Sequence, residues 1–268
     1  MAKGEFHKMH GLGNDFVIID ARVSPIEMSP ARVRAIADRK HGIGCDQLIL
    51  LTKSNVADVT MRIFNADGSE VEACGNASRC VVALLKQDLK IETKGGIIFG
   101  QLSGNDVTVS MGEAKFEWQD IPLAFAMDSA SLPLAWEELQ NPMAVNMGNP
   151  HAVFFVDDAD AVDLARLGPM IEHDAAFPER VNINVASIDG NEIHLVVWER
   201  GAGLTGACGT GACATAVAAI KQGKVQSPVV VHQKGGRLTS AWAPGQPVIM
   251  AGSATYVFTG HADWDDFG

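Results

Sequence analysis

The sequence predicts an α+β fold of two similar domains. Three observations predict it. Short runs rich in Val, Ile and Phe dominate, helical runs are few, and a set of motifs recurs half a chain apart. The chain has 268 residues, enough for about two domains and a core that needs no disulfides. Its hydrophobic share of 47% is that of a globular protein, which excludes disordered and collagen-like readings. The net charge of −11 and pI near 5.1 argue against nucleic acid or an acidic membrane as partners.

Taken in order, the strand-like runs are 16–20, 47–51, 59–64, 106–111, 151–156, 193–198, 229–232 and 248–250. Each is bounded by turn-forming or polar residues. Ser29-Pro30 reads as an N-cap followed by proline in the first turn, opening a helix to about Arg39. Two more helices are expected from Gly75 to about Lys86 and from Gly209 to about Lys221. The last is almost all Ala, Cys, Thr, Val and Ile, so it should be buried on most sides. The stretch 117–141 lacks periodicity and reads as the connection between domains. The N-terminus has no apolar core for a signal peptide, and no apolar run is long enough to span a membrane. The five cysteines therefore read as reduced thiols of a cytoplasmic protein.

The repeat ties these elements together. Cys74-Gly75-Asn76 and Cys208-Gly209-Thr210 stand 134 positions apart, each preceded by alanine, Ala73 and Ala207. Ile63-Phe64-Asn65 aligns with Val197-Trp198-Glu199 at the same spacing. Gly13-Asn14 aligns with Gly148-Asn149, and Gln47 with Asn182, at 135. Matches in one order with a single residue of drift indicate a duplication, with halves related by a pseudo-twofold axis. The expected domains are 1–118, with the tail 260–268 returning to it, and 119–259.

Each half thus offers strand, glycine-rich turn, cysteine and helix. A thiol at a helix N-terminus sits among unpaired N–H groups and the positive end of the dipole, which favour thiolate and bind anions. Two such units, Cys74 and Cys208, suit removal of a carbon-bound proton on one face and its return on the other. That reaction inverts a stereocentre without redox change or cofactor. Cys45, Cys80 and Cys213 read as small buried hydrophobes. Arg200 is a planar partner for a second carboxylate, with Asn65, Asn149 and Asn182 as neutral orienting groups.

Two other readings are weaker. Gly201-Ala-Gly203-Leu-Thr-Gly206 matches a dinucleotide pattern, but no acid follows it before Asp263. The cysteine spacings do not fit zinc knuckles, so no metal is expected. The sequon Asn76-Ala-Ser78 has no meaning in an unsecreted chain.

The chain resembles the diaminopimelate epimerase family over essentially its whole length. The matching stretches are 9–16, 46–48, 63–70, 73–76 with Arg79-Cys80, 147–151, 199–203 and 207–213. The resemblance implies two α/β halves, each a curled mixed sheet around a central helix, with the site in the cleft between them. It implies cofactor-free epimerisation of LL-2,6-diaminopimelate to the meso form, with Cys208 as base and Cys74 as proton donor. Implied substrate contacts are Asn14, Gln47, Asn65, Gly75, Asn76, Asn149, Asn182, Glu199, Arg200, Gly209 and Thr210. His151 and Glu199 are implied to tune the cysteines, and the protein is expected to be a homodimer. A proline-type racemase of the same fold would leave Arg200 and the asparagines without a purpose. The chain departs from the family pattern at Ala77-Ser78 and Leu204, where no contact is expected.

Overall fold

A computed structural model describes residues 3–72, 74–104 and 106–267. Ala73, half of one repeat match, lies outside the described residues. The chain folds as two units, Met1–Val109 with Gly252–Gly268, and Ser110–Ala251.

In the first unit, β1 (Lys3–Gly11) returns as antiparallel β2 (Asn14–Asp20) through Gly13 at φ 86°, a conformation that suits glycine. Helix α1 (Pro30–Ala37) starts where expected. Ser29 Oγ accepts from the Arg32 N–H at 3.2 Å, and proline occupies the first turn. The helix crosses over to β3 (Gln47–Thr52), which runs parallel to β2. Antiparallel β4 (Val59–Asn65) and β5 (Glu70–Val71) lead into α2 (Gly75–Leu85). Then β6 (Leu89–Thr93) runs parallel to β4, and β7 (Gly96–Ser103) and β8 (Asp106–Ser110) follow antiparallel.

The second unit adds a short hairpin, β9 (Ala135–Trp136) and β10 (Leu139–Gln140). It then repeats the first unit's order. The elements are β11 (Met143–Asn146), β12 (Pro150–Phe155), α3 (Leu164–Glu172), β13 (Asn182–Asp189), β14 (Glu192–Glu199), β15 (Gly203–Thr205), α4 (Gly209–Lys221), β16 (Val229–Gln233), β17 (Gly236–Ala241) and β18 (Ile249–Ser253). The senses of pairing agree as well. β13 is parallel to β12, β16 is parallel to β14, and the other successive pairs are antiparallel. Register carries the match to single residues, since Phe16 pairs with Gln47 as His151 pairs with Asn182. Helix α4 packs on β11, β12, β13, β14, β16 and β17, so this unit's sheet wraps a central helix. The α+β class and the internal repeat are therefore observed.

Three features differ from the sequence reading. The stretch 117–141 is not a linker. Its Ile121, Leu123, Leu132 and Leu139 are buried in the second unit's core with Leu164, Leu167 and Ile171 of α3. The expected boundary at 118/119 consequently falls inside the second unit. The expected boundary at 259/260 falls within β19 (Thr255–Asp263), which pairs along β1 and continues into a 3-10 turn (Trp264–Phe267). Helix α3 itself was missed, because Gly168 and Pro169 interrupt its helical pattern, although the Asp163 carboxylate caps it. No described helix is long and apolar enough to cross a membrane.

Gly168 lets α3 lie directly on Trp198, the residue before Glu199. A β-carbon there would meet the Trp198 ring at 2.4 Å. Gly168→Ala should therefore destabilise the protein by about 1–3 kcal/mol by overpacking, despite the better helix propensity of alanine. A fall in the denaturant midpoint at unchanged slope checks this.

Candidate active site

In a strand, alternate side chains share a face. In the first unit Leu48 and Leu50 join Val33 and Ile36 of α1 in one core cluster. Gln47 therefore points to the opposite face. Its Nε2 donates to Asn65 Oδ1 at 2.9 Å, and Asn65 Nδ2 donates to Ser69 Oγ at 3.2 Å. Gln47 Oε1 is buried with no hydrogen-bond partner among the described residues. Asn14 Nδ2 reaches Asp46 Oδ2 at 3.5 Å, so its Oδ1 faces Cys74, whose thiol donates at 4.0 Å. Asp46 belongs to a charged network with Asp15, Arg39 and Lys8. Burial disfavours ionised Asp15, but the Arg39 and Lys8 hydrogen bonds prevail and hold it well below the usual carboxylate range. Burial, with the Asp15 charge, pushes Asp46 up.

Cys74 is the N-cap of α2, with extended backbone at φ −150° and ψ 108°. Its side chain makes no capping hydrogen bond. Gly75 and Asn76 open the helix and are buried. Ser78 Oγ donates to the Cys74 carbonyl at 3.0 Å, so the departure at 78 serves the helix start. Arg79 has no solvent exposure, and its Nη2 donates to Asn76 Oδ1 at 2.9 Å, which turns the Asn76 NH2 away from it. Burial pushes Cys80 up to about 12 and Cys45 to about 12, which fits two inert core thiols.

In the second unit Ile183 and Val185 face the core shared with α3, so Asn182 and Asn184 face the other way. Asn182 Nδ2 donates to the Pro150 carbonyl at 2.8 Å, and its Oδ1 accepts from the Arg200 N–H at 2.9 Å. Asn182 therefore fixes the backbone of Arg200, while the Arg200 guanidinium is exposed and donates to the Glu179 carbonyl at 3.0 Å. His151 and Asn149 are bonded through Nε2 and Oδ1 at 2.9 Å.

Cys208 caps α4 with its own thiol. Sγ accepts from the Gly211 N–H at 3.3 Å and lies 3.4 Å from Thr210 Oγ1. Gly209 and Thr210 form the first turn of the helix. Glu199 stands beside the thiol and accepts from Thr205 Oγ1 at 2.5 Å. Burial first, then the Glu199 charge, push the Cys208 thiol well above its ordinary value, while Thr210 and the Gly211 N–H pull the other way. Gly211 admits no side chain, because a β-carbon would lie 2.6 Å from Asn184 Oδ1 and 3.3 Å from Cys208 Sγ.

In the first unit Asn14 meets Cys74, while Gln47 and Asn65 bond to each other. In the second, Glu199 and Thr210 adjoin Cys208, Asn149 bonds to His151, and Asn182 holds the Arg200 backbone. Sequence reasoning missed four supporting residues. Arg79 was seen only as part of a motif. Gln233 Oε1 accepts from the Cys208 N–H at 2.7 Å. Asn184 lies against His151. Glu172, 3% exposed, accepts from Trp198 Nε1 at 2.7 Å and from the Gly201 N–H at 3.0 Å, bracketing Glu199 and Arg200. The second asparagine of Asn182-Ile-Asn184 was the available signal for one of them, since alternation places both on one face.

A family model described as diaminopimelate epimerase matches residues 6–117 and 143–257. The chain is 62% identical over 264 residues to a diaminopimelate epimerase of Sphingopyxis alaskensis, covering 98% of both chains. It is 63% identical over 265 residues to one of Rhizorhabdus wittichii, covering 98% of this chain and 97% of that one. Among solved structures, a PhzF-family phenazine biosynthesis protein of Bacillus anthracis superposes with TM-score 0.71 at 17% identity, over 98% of this chain and 99% of that one. A hydroxyproline epimerase of Agrobacterium vitis gives 0.66 at 14%, over 97% and 92%. These two likenesses establish the fold.

The Glu199 carboxylate disfavours a thiolate at Cys208, so neutralising it lowers that thiol's pKa. Glu199→Gln should make Cys208 alkylate faster with iodoacetamide at a fixed pH between 7 and 8. Mass spectrometry of the Cys208 peptide, with Cys45 as the buried internal reference, measures the change. A slower reaction would contradict the assigned electrostatics.

Proposed function

This chain belongs to the diaminopimelate epimerase family, and from that premise we propose that Cys74 and Cys208 are the acid/base pair of its reaction. The reaction is epimerisation of LL-2,6-diaminopimelate to the meso form, a step of lysine and peptidoglycan precursor synthesis. One observation carries the assignment. Two units of identical topology each begin their most buried helix on a cysteine, and the remaining thiols have no such place.

In the LL direction the Cys208 thiolate removes the α-proton and becomes a thiol. The electron pair left on carbon is delocalised into the adjacent carboxylate. The Cys74 thiol protonates the opposite face and becomes a thiolate. Atoms and charge balance, and the two sulfurs exchange roles for the reverse direction. Backbone N–H groups at Gly75, Asn76, Gly209 and Thr210 stabilise the charge that develops on the carboxylate. Burial first, then the Glu199 charge, keep a proton on Cys208 at rest; that proton leaves to solvent when bound substrate favours the thiolate, which begins the cycle. Asn14, Gln47, Asn65, Asn149, Asn182 and Arg200 hold the remainder of the substrate. Arg200 takes the far carboxylate, for which an exposed guanidinium is suited.

The mechanism requires reduced thiols, which supports a cytoplasmic location. A homodimer is also part of this reading. On β19 three consecutive residues, Tyr256, Val257 and Phe258, are each about half exposed, so apolar side chains project from both faces of the strand. Such a segment is a natural contact for a second copy.

Two measurements test these assignments. In D2O the protein should turn LL-diaminopimelate into α-deuterated meso product, and Cys74→Ala or Cys208→Ala should abolish turnover. Unchanged turnover in either variant refutes the two-thiol mechanism. Light scattering should return twice the 28.5 kDa chain mass. Val257→Asp should halve it, and a wild-type monomer would refute the dimer.

A further inference from the structure

The two halves differ sharply at one buried position. Where the first unit sets Phe16 and Ile49, the second sets His151 and Asn184, and all four side chains have 0% exposure. The equivalence follows from register. Phe16 pairs with Gln47 and His151 with Asn182, and Ile49 and Asn184 each lie two residues beyond those partners. An apolar pair is the less costly filling for such a place, because a buried polar pair must satisfy its hydrogen bonds or destabilise the fold.

The polar pair forms a directed chain. Asn184 Nδ2 lies 3.4 Å from the Ala152 carbonyl oxygen and 3.1 Å from His151 Nδ1. A carbonyl only accepts, so the group facing it is the amide NH2. The same NH2 faces Nδ1, which must then accept, and the imidazole proton resides on Nε2. From there Nε2–H donates to Asn149 Oδ1 at 2.9 Å. With its oxygen engaged inside, half-buried Asn149 turns its NH2 outward. Burial and the Arg200 charge lower the His151 pKa to about 3, so the ring is neutral, as this chain of bonds requires.

The equivalent residue of the first unit is turned the other way. Asn14 faces the Asp46 carboxylate with its NH2 and offers Oδ1 to Cys74. The duplication has thus produced one asparagine that presents oxygen and one that presents hydrogen.

We propose that Asn184 is a positioning residue for substrate recognition, acting through the His151 tautomer to hold Asn149 as a donor to a substrate carboxylate. This rests on the diaminopimelate reading, which supplies the carboxylate. His151 is bonded to Asn149 and Asn184, whereas Glu199, Thr210 and the Gly211 N–H interact with the Cys208 thiol. With Asn184 replaced by an apolar group, Nδ1 loses its donor and the ring no longer has to keep its proton on Nε2. With the proton on Nδ1, Nε2 turns acceptor and Asn149 is released to present oxygen.

The test combines a tautomer measurement with kinetics. Nitrogen-15 NMR of histidine-labelled protein at neutral pH, with the His151 signal assigned by its loss in His151→Phe, should show neutral Nε2–H imidazole. Asn184→Leu should raise KM for diaminopimelate about 10- to 100-fold, the worth of a charge-assisted hydrogen bond, with kcat changed about threefold or less. The double variant His151→Phe with Asn184→Ile copies the first unit's own pair, which should preserve folding. Its KM should match that of the single variant. An Nδ1–H or charged His151 in the wild type would overturn the proposal, as would an unchanged KM in a folded Asn184→Leu protein. The tautomer is read without substrate, so a failure of the diaminopimelate assignment would appear separately, as wild-type protein that shows Nε2–H but no turnover.

Discussion

A helix that begins inside the protein is the constraint on which the rest of the site depends. The first turn of any helix leaves N–H groups without intrahelical acceptors, and burial makes them costly to leave unmet. In α4, where every residue from Gly211 to Ala219 is buried, the Cys208 thiol meets one of them at Gly211. Gln233 Oε1 takes the N–H of Cys208 itself. A carboxylate bound at the helix start would supply further acceptors. The capping requirement that stabilises the helix therefore sets a thiol where a bound carboxylate would also find donors.

Duplication explains the repeated topology. In the proposed reaction each sulfur takes a proton in one direction and gives one in the other, so two related halves supply both groups. The halves differ around the thiols. Cys208 is 4% exposed, caps its helix and faces Glu199. Cys74 is more open, makes no capping bond and donates toward Asn14 Oδ1. The structure retains the shared strand and helix registers while changing the side chains that face the cysteine.

Much of this was legible in the sequence, and the limits have physical causes. Helix starts at Pro30, Gly75 and Gly209 were readable because proline, glycine and small polar residues mark them locally. The repeat was readable because Cys-Gly and Gly-Asn pairs are rare enough to align. Helix α3 was not, since its stability comes from Leu164, Leu167 and Ile171 packing into a distant core, and Pro169 argues against it locally. The stretch 117–141 failed for the same reason, because its scattered apolar residues are buried by tertiary contacts without any period. The motifs named Cys74 and Cys208, which the structure sets at helix starts, but they did not point to Glu172, Gln233 or Asn184. Each acts on a residue far away in sequence, Glu172 on Trp198 and Gly201, Gln233 on Cys208, and Asn184 on His151.

The net charge of −11 makes this arrangement of amides intelligible. A dicarboxylate substrate approaches an acidic protein, so attraction must be local and short-ranged. More cations near Cys208 would be one answer, but a buried lysine or arginine there would pair with Glu199 and carry its own desolvation cost. Neutral carboxamides avoid both problems, and their selectivity lies entirely in which end faces outward. That end is not fixed by the asparagine alone, since the oxygen and the NH2 have nearly the same shape. It has to be imposed by neighbours of fixed polarity, and here these are the Asp46 carboxylate for Asn14, the Arg79 guanidinium for Asn76 and the neutral imidazole for Asn149. In the proposed function, directional hydrogen bonds to these amides would do what charge does in a more basic protein.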